Sequence, residues 1–340
     1  MQYTEYIKQQ LKNILSIPSP SGFTKKAAEY MMQELGSMGY KPYMTNKGCV
    51  CVDLGGEGHP VLLGAHIDTL GGMVAEIKPS GALRITRIGG LNANNVEGEN
   101  CTIFTRDSRS YTGVCQLENA SIHVNASYDD TKRTFDTVEV LIDEVVESKA
   151  DVKALGISVG DYVCFEPRTV ITDSGYIKSR FLDDKLSAAI LLAYAKRLSD
   201  EHIVPSRKVY LYFTVYEEVG HGGASGMPSG IEELIAVDMG CVGKGLECKE
   251  TQLSICAKDS AGPSDYELTT RLINTAKANN IDYAVDVYPS YSSDMDVALK
   301  AGQDAAHCVI GSGVYASHGY ERTHMKGVEG TLKLIEAYIG

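Results

Sequence analysis

The sequence predicts an α/β protein, a three-layer α/β/α sandwich with a mixed central sheet, interrupted by an inserted β-rich domain. Three observations carry this. Helical and strand periodicities alternate over residues 1–70 and again over 168–340. The strand at 61–65 is almost wholly apolar, as expected where both sheet faces are covered. Between residues 71 and 167 the texture changes to short β-like runs separated by turns. The domains are therefore a discontinuous main domain, 1–70 with 168–340, and an insert, 71–167.

Taken in order, residues 3–17 form an amphipathic helix with Tyr6, Ile7, Leu11, Ile14 and Leu15 on one face. Pro18-Ser19-Pro20-Ser21-Gly22 stops it. A second helix spans 25–38, and strands follow at 48–54 and 61–65. In the insert, strands are expected at 73–77, 82–88, 101–105, 110–115, 138–145 and 161–166, with Pro79-Ser80-Gly81 and Gly89-Gly90 as punctuation. No metal-ligand cluster is visible there, and His123 reads as structural. After the insert come a strongly apolar helix at 184–198 and strands at 208–216, 234–238 and 253–257. Then follow a helix at 265–279, a strand at 284–288, a helix at 295–301, a strand at 306–310 and a closing helix at 327–339.

Composition narrows the function. With 340 residues, 44% hydrophobic and 22% charged, the chain can bury a large core. A net charge of -12 argues against a nucleic-acid surface. No apolar run approaches the ~20 residues that span a bilayer, and the N-terminus has no apolar signal region. Nine scattered cysteines without a Cys-x-x-Cys pair read as reduced thiols of a cytoplasmic protein. The Asn119-Ala120-Ser121 and Asn125-Ala126-Ser127 sequons would then be silent.

The chemistry gathers at strand ends, where open α/β sheets bind ligands. His66 and Asp68 follow the strand at 61–65, and residues two apart in an extended segment share a side. Asp183-Asp184 precede the apolar helix, Glu217-Glu218 follow the strand at 208–216, and Asp238 ends the strand at 234–238. His318 and His324 lie between the last strand and the last helix. Singly, each has a plain explanation: a solvated acidic turn for Glu217-Glu218, or a helix N-terminus for Asp183-Asp184. Together they form a His/Asp/Glu/Asp/His set. Five such donors suit two divalent ions about 3.5–4 Å apart with one bridging carboxylate. Nitrogen and oxygen donors without thiolate suit zinc first, with cobalt or manganese as alternatives. His221 reads as structural.

The sequence also resembles the glutamyl aminopeptidase-like, tetrahedral-assembly (TET-type) family of dinuclear metallo-aminopeptidases. The matching stretches are Gly64-Ala65-His66-Ile67-Asp68, Ile88-Gly89-Gly90, residues 159–166, Phe181-Leu182-Asp183-Asp184-Lys185, Tyr216-Glu217-Glu218-Val219-Gly220, Val237-Asp238 and Glu321-Arg322-Thr323-His324. Their order covers nearly the whole chain. The resemblance implies that His66 and Asp238 hold one ion, Asp183 bridges, and Glu218 and His324 hold the second, with His318, six residues earlier, competing with His324 for that place. It implies that Glu217 is the general base, that Asp68 orients His66, and that the Asp183-Asp184 peptide is cis. Relatives usually carry Gly-Gly-Thr-Asp-Ala where this chain has Ser292-Ser293-Asp294-Met295-Asp296. Asp294 aligns, and with His318 it is expected beside the substrate. The insert would be a dimerisation domain through which dimers assemble into a dodecamer.

The expected function is removal of N-terminal residues from short peptides by attack of a metal-bridging hydroxide, with neither nucleic-acid nor membrane partners. A dinuclear deacylase or carboxypeptidase-like amidohydrolase is the enzymatic alternative. The insert's place between His66 and Asp183 favours the aminopeptidase. A silent oligomeric scaffold is the non-enzymatic alternative.

Overall fold

The computed structural model describes residues 2–340; Met1, the first residue of the expected main domain, lies outside them. The chain divides into two compact units, one running to Asp68 and resuming at Arg168, the other Thr69–Pro167.

In the larger unit, Val209–Thr214, Val61–His66, Glu233–Val237 and Ala306–Tyr315 lie side by side in parallel. Val50–Gly55 and Leu253–Lys258 flank them antiparallel, so the sheet is mixed. All six residues of Val61–His66 are buried. The helix Leu182–Asp200 packs on that strand, and the helix Gln2–Leu15 packs on Leu182–Asp200. A helix enclosed in this way has no solvent face before its last turns, which is why its sequence is apolar nearly all round up to Ala195. Lys185 is its buried cation: its ammonium donates to the carbonyls of Ile14 (3.0 Å) and Ile17 (2.6 Å), at the end of the first helix. That anchor fixes the start of Leu182–Asp200, where Asp183 and Asp184 sit and where their peptide bond is cis.

The last sheet segment departs from the expected strand and loop. Ala306–Tyr315 runs five residues beyond the expected end, turns at 316–320, and returns as Glu321–His324. That short strand pairs antiparallel with Tyr176–Ser179. Four residues carry too little periodicity to be read from sequence.

The smaller unit closes as a six-stranded barrel, in the order Gly71–Ile77, Leu83–Ile88, Val138–Ile142, Ser110–Leu117, Asn100–Phe104, Tyr162–Phe165. Closure removes exposed strand edges. A helix at Lys149–Ala154, absent from the sequence reading, is capped by the Ser148 hydroxyl, which accepts from Asp151 N. No helix among the described residues is long and apolar enough to cross a membrane.

Candidate metal centre

Parallel strands deliver their carboxyl ends to one edge of a sheet, and here three of them carry the chemistry. His66 ends its strand opposite Thr214, Glu217 begins the turn after Thr214, and Asp238 follows Val237. Behind Asp238 lies Gly311. A Cβ there would stand 1.6 Å from the Asp238 carbonyl oxygen, so only glycine fits. Gly311→Ala is expected to destabilise the fold by at least about 1–3 kcal/mol, measurable by chemical denaturation. An unchanged midpoint would show that the two strands separate freely.

The residues meet closely. The His66 Nε2 lies 3.0 Å from Asp183 Oδ1 and 3.7 Å from Glu217 Oε2. The His318 Nε2 lies 3.5 Å from Asp183 Oδ2 and 3.6 Å from Glu218 Oε2. Two groups thus have the spacing of a cation site, His66–Asp183–Asp238 and Asp183–Glu218–His318, the donor atoms within 4.8 Å in each. Asp183 belongs to both, as a bridging carboxylate must. Glu217 belongs to neither.

Supporting residues hold this geometry. The His66 Nδ1 donates to the Asp68 carbonyl oxygen at 2.9 Å, which turns Nε2 toward the other ligands. The Asp68 carboxylate, fully buried, accepts from Glu217 N (3.1 Å), Glu218 N (3.3 Å) and the Ser21 hydroxyl (2.5 Å). Asp68 therefore orients the imidazole through its backbone and the glutamate pair through its side chain. Asp184 accepts from His66 N. Asp238 accepts from Met239 N (2.6 Å) and the Ser293 hydroxyl (3.1 Å). Glu321 accepts from Asp183 N (3.1 Å) and His318 N (3.0 Å), tying two donors of one group together. Neither Ser21 nor Glu321 has a local sequence signal for these roles; each contact spans well over 40 residues or crosses a turn.

Two expected site residues lie outside both groups. His324 belongs to neither group. Its Nδ1 accepts from Lys326 N, capping the final helix, and its Nε2 bonds the Ser174 carbonyl. Both ring nitrogens are used, so the imidazole offers no lone pair to an ion. His318, at the tip of the turn before it, occupies the expected position. Asp294 is buried and accepts from the Thr214 hydroxyl and Gly223 N, bracing the glycine turn after the glutamate pair. It supports that turn, beside His66, Glu217 and Asp238.

The charges fit a cation. Burial lifts Glu217 and Glu218 well above the usual carboxylate range and, with the Asp183 charge, Asp238 to about 6. Burial also lifts Glu321 to about 8, again with Asp183 contributing. Burial would push the His66 imidazole down, but the charges of Glu217, Asp183 and Asp238 hold it well above its ordinary value. The hydrogen bond to Asp183 raises His318 to about 9. For Asp183, burial is outweighed by hydrogen bonds from His318 and His66, which hold it low. Three crowded carboxylates, Asp183, Glu218 and Asp238, with two imidazoles are the donor set a divalent ion would neutralise.

The sign of the pH dependence follows. Apart from Asp183, these groups have raised folded values, so without cations the fold binds more protons than the unfolded chain between about pH 4 and 9. Stability then falls as pH rises through that window; the Asp183 contribution is lost only at more acid pH. In chelator, Tm should drop from about pH 5 to 8.5, and a divalent cation should raise Tm more at the higher pH. A chelated protein whose Tm rose with pH would contradict this.

The M42 glutamyl aminopeptidase family model matches residues 48–334. The chain belongs to the M42 glutamyl aminopeptidase family. Members are metal-dependent aminopeptidases, and this M42 chain is accordingly a hydrolase acting on peptide bonds. It is 40% identical over 331 residues to a Bacillus subtilis (strain 168) protein named "Putative aminopeptidase YhfE", covering 97% of this chain and 96% of that one. Its fold matches the TET1 peptidase of Pyrococcus horikoshii with a TM-score of 0.85 at 23% identity, covering 98% and 99% of the two chains. It matches an aminopeptidase of the archaeon Desulfurococcus kamchatkensis with a TM-score of 0.87 at 22% identity, covering 100% and 95%. The M42 fold of mixed sheet and closed barrel is common to them.

Proposed function

We propose that this chain removes the N-terminal residue of short peptides at a site built for two divalent cations. The observation that carries this is the sharing of Asp183 between two ligand groups while Glu217 stands outside both. His66, Asp183 and Asp238 would hold one cation, and Asp183, Glu218 and His318 the other. Zinc suits the donors first, with cobalt or manganese as alternatives. Bound cations supply Lewis acidity, acidifying water and polarising the scissile carbonyl.

The protein's own groups do the rest. Glu217, outside both ligand groups and held by burial well above the usual carboxylate range, takes the proton of the attacking water and hands it to the leaving amine. Asp68 fixes the tautomer of His66 and the amides of Glu217 and Glu218, acting as a positioning residue.

The insert would serve as the dimerisation domain, and the chain would assemble as a homo-oligomer of dodecamer type. Support comes from the Pyrococcus horikoshii TET1 peptidase, described as assembling into a tetrahedron or a large octahedral shell. All nine cysteines carry free thiols, which supports a reducing, cytoplasmic setting. An aminoacyl-p-nitroanilide panel with added zinc, cobalt or manganese tests the activity. Metal-dependent turnover is expected, and hydrolysis of N-acyl amino acids alone would favour a deacylase.

A further inference from the structure

Beside the ligand groups lies a pocket of about 370 Å³, at the lower end of volumes that enclose a small ligand. Beyond Asp183, Glu217, Glu218, Asp238 and His318, its wall is made by Met239, Cys241, Tyr291 and Val297 with three serines and a glycine. Among the described residues, no lysine or arginine lines it. Its acidic groups are the cation and proton-transfer groups already assigned, and its one imidazole, His318, faces Asp183 and Glu218. The wall is tied to the ligands. Ser293 donates to Asp238 and caps the helix Asp294–Lys300 through a capping box with Asp296, and Val297 follows directly in that helix.

In peptide hydrolysis the scissile carbonyl must lie against the ligand groups and Glu217. The side chain of the N-terminal residue then takes the space beside them. A glutamyl side chain would place a carboxylate among carboxylates, with no cationic side chain to meet it. A lysyl side chain would find only acids committed elsewhere. Burying an unpaired charge is costly, whereas the thioether of Met239 and the ring of Tyr291 offer adaptable apolar surface.

We propose that the site selects peptides whose N-terminal residue has an uncharged, medium-sized apolar side chain, of leucine or methionine type, and discriminates against glutamyl and lysyl peptides. This rests on the aminopeptidase reading and departs from the acidic preference in the family's description. The test is kcat/KM of the metal-loaded enzyme on leucyl-, methionyl-, glutamyl- and lysyl-p-nitroanilide. The leucyl and methionyl substrates should exceed the charged pair by about 100-fold or more. Calorimetry should detect binding of free leucine and not of free glutamate. A glutamyl or lysyl substrate cleaved as fast as the leucyl one would overturn the selectivity and leave the peptidase reading standing. No turnover of any of the four would overturn that reading, and the selectivity with it. Val297→Lys should raise the glutamyl-to-leucyl ratio about tenfold or more; an unchanged ratio in a variant that still cleaves the leucyl substrate would overturn the assigned wall.

Discussion

Glu217→Gln is expected to keep its bound metal and lose roughly two to four orders of magnitude in kcat. The amide has nearly the size and shape of the carboxylate, so packing survives. The backbone N–H that donates to Asp68 is untouched by the change. Glu217 lies outside both ligand groups, which is why metal content should hold. What the amide cannot do is accept a proton and return it. Steady-state kinetics together with plasma emission on the same preparation separate these effects. A variant with near-normal turnover would remove Glu217 from proton transfer, and one that lost its metal would make Glu217 a ligand instead.

The second large effect distinguishes two histidines six positions apart. His318→Ala should weaken cation binding by more than about 100-fold and abolish most activity, since even groups behind the ligands change affinity 10–100-fold. Its stability cost should be small, because the side chain sits in a surface turn and is 40% exposed. His324→Ala should do the reverse. It removes the cap of the final helix and the bond to the Ser174 carbonyl, costing about 0.5–2 kcal/mol, while metal content stays intact. Denaturant midpoints and metal analysis on both variants decide the matter. Metal loss in His324→Ala with retention in His318→Ala would restore the motif-based assignment.

These two residues also mark where the sequence stopped being legible. The strand at Val61–His66 could be read because a run buried on both faces is apolar without alternation, and the polar residues after it then stand out. The same logic found Glu217-Glu218 and Asp238. His318 was visible beside His324, but the choice between them depends on a hairpin whose return strand is four residues long and pairs with Tyr176–Ser179, about 145 residues earlier in the chain. The motif ending in His324 was visible, but its role in capping the last helix is set by tertiary pairing. Asp294 aligned with the family pattern, yet what it touches, Thr214 and Gly223, is fixed by how the strand end and the glycine turn meet. Asp68 was expected to orient His66 with its carboxylate; its backbone carbonyl accepts from that imidazole instead, while the carboxylate holds the amides of Glu217 and Glu218. Contacts such as Ser21 to Asp68 and Glu321 to Asp183 span 47 and 138 residues and leave no trace in local spacing.

The central claim is that His66, Asp183, Glu218, Asp238 and His318 build one paired cation site. Metal titration of the chelated protein, counted by plasma emission after removal of free ion, tests it most directly. Saturation near two divalent ions per chain is expected, with proton release on binding near pH 6, the value to which burial lifts Asp238. Saturation below one ion per chain would contradict it.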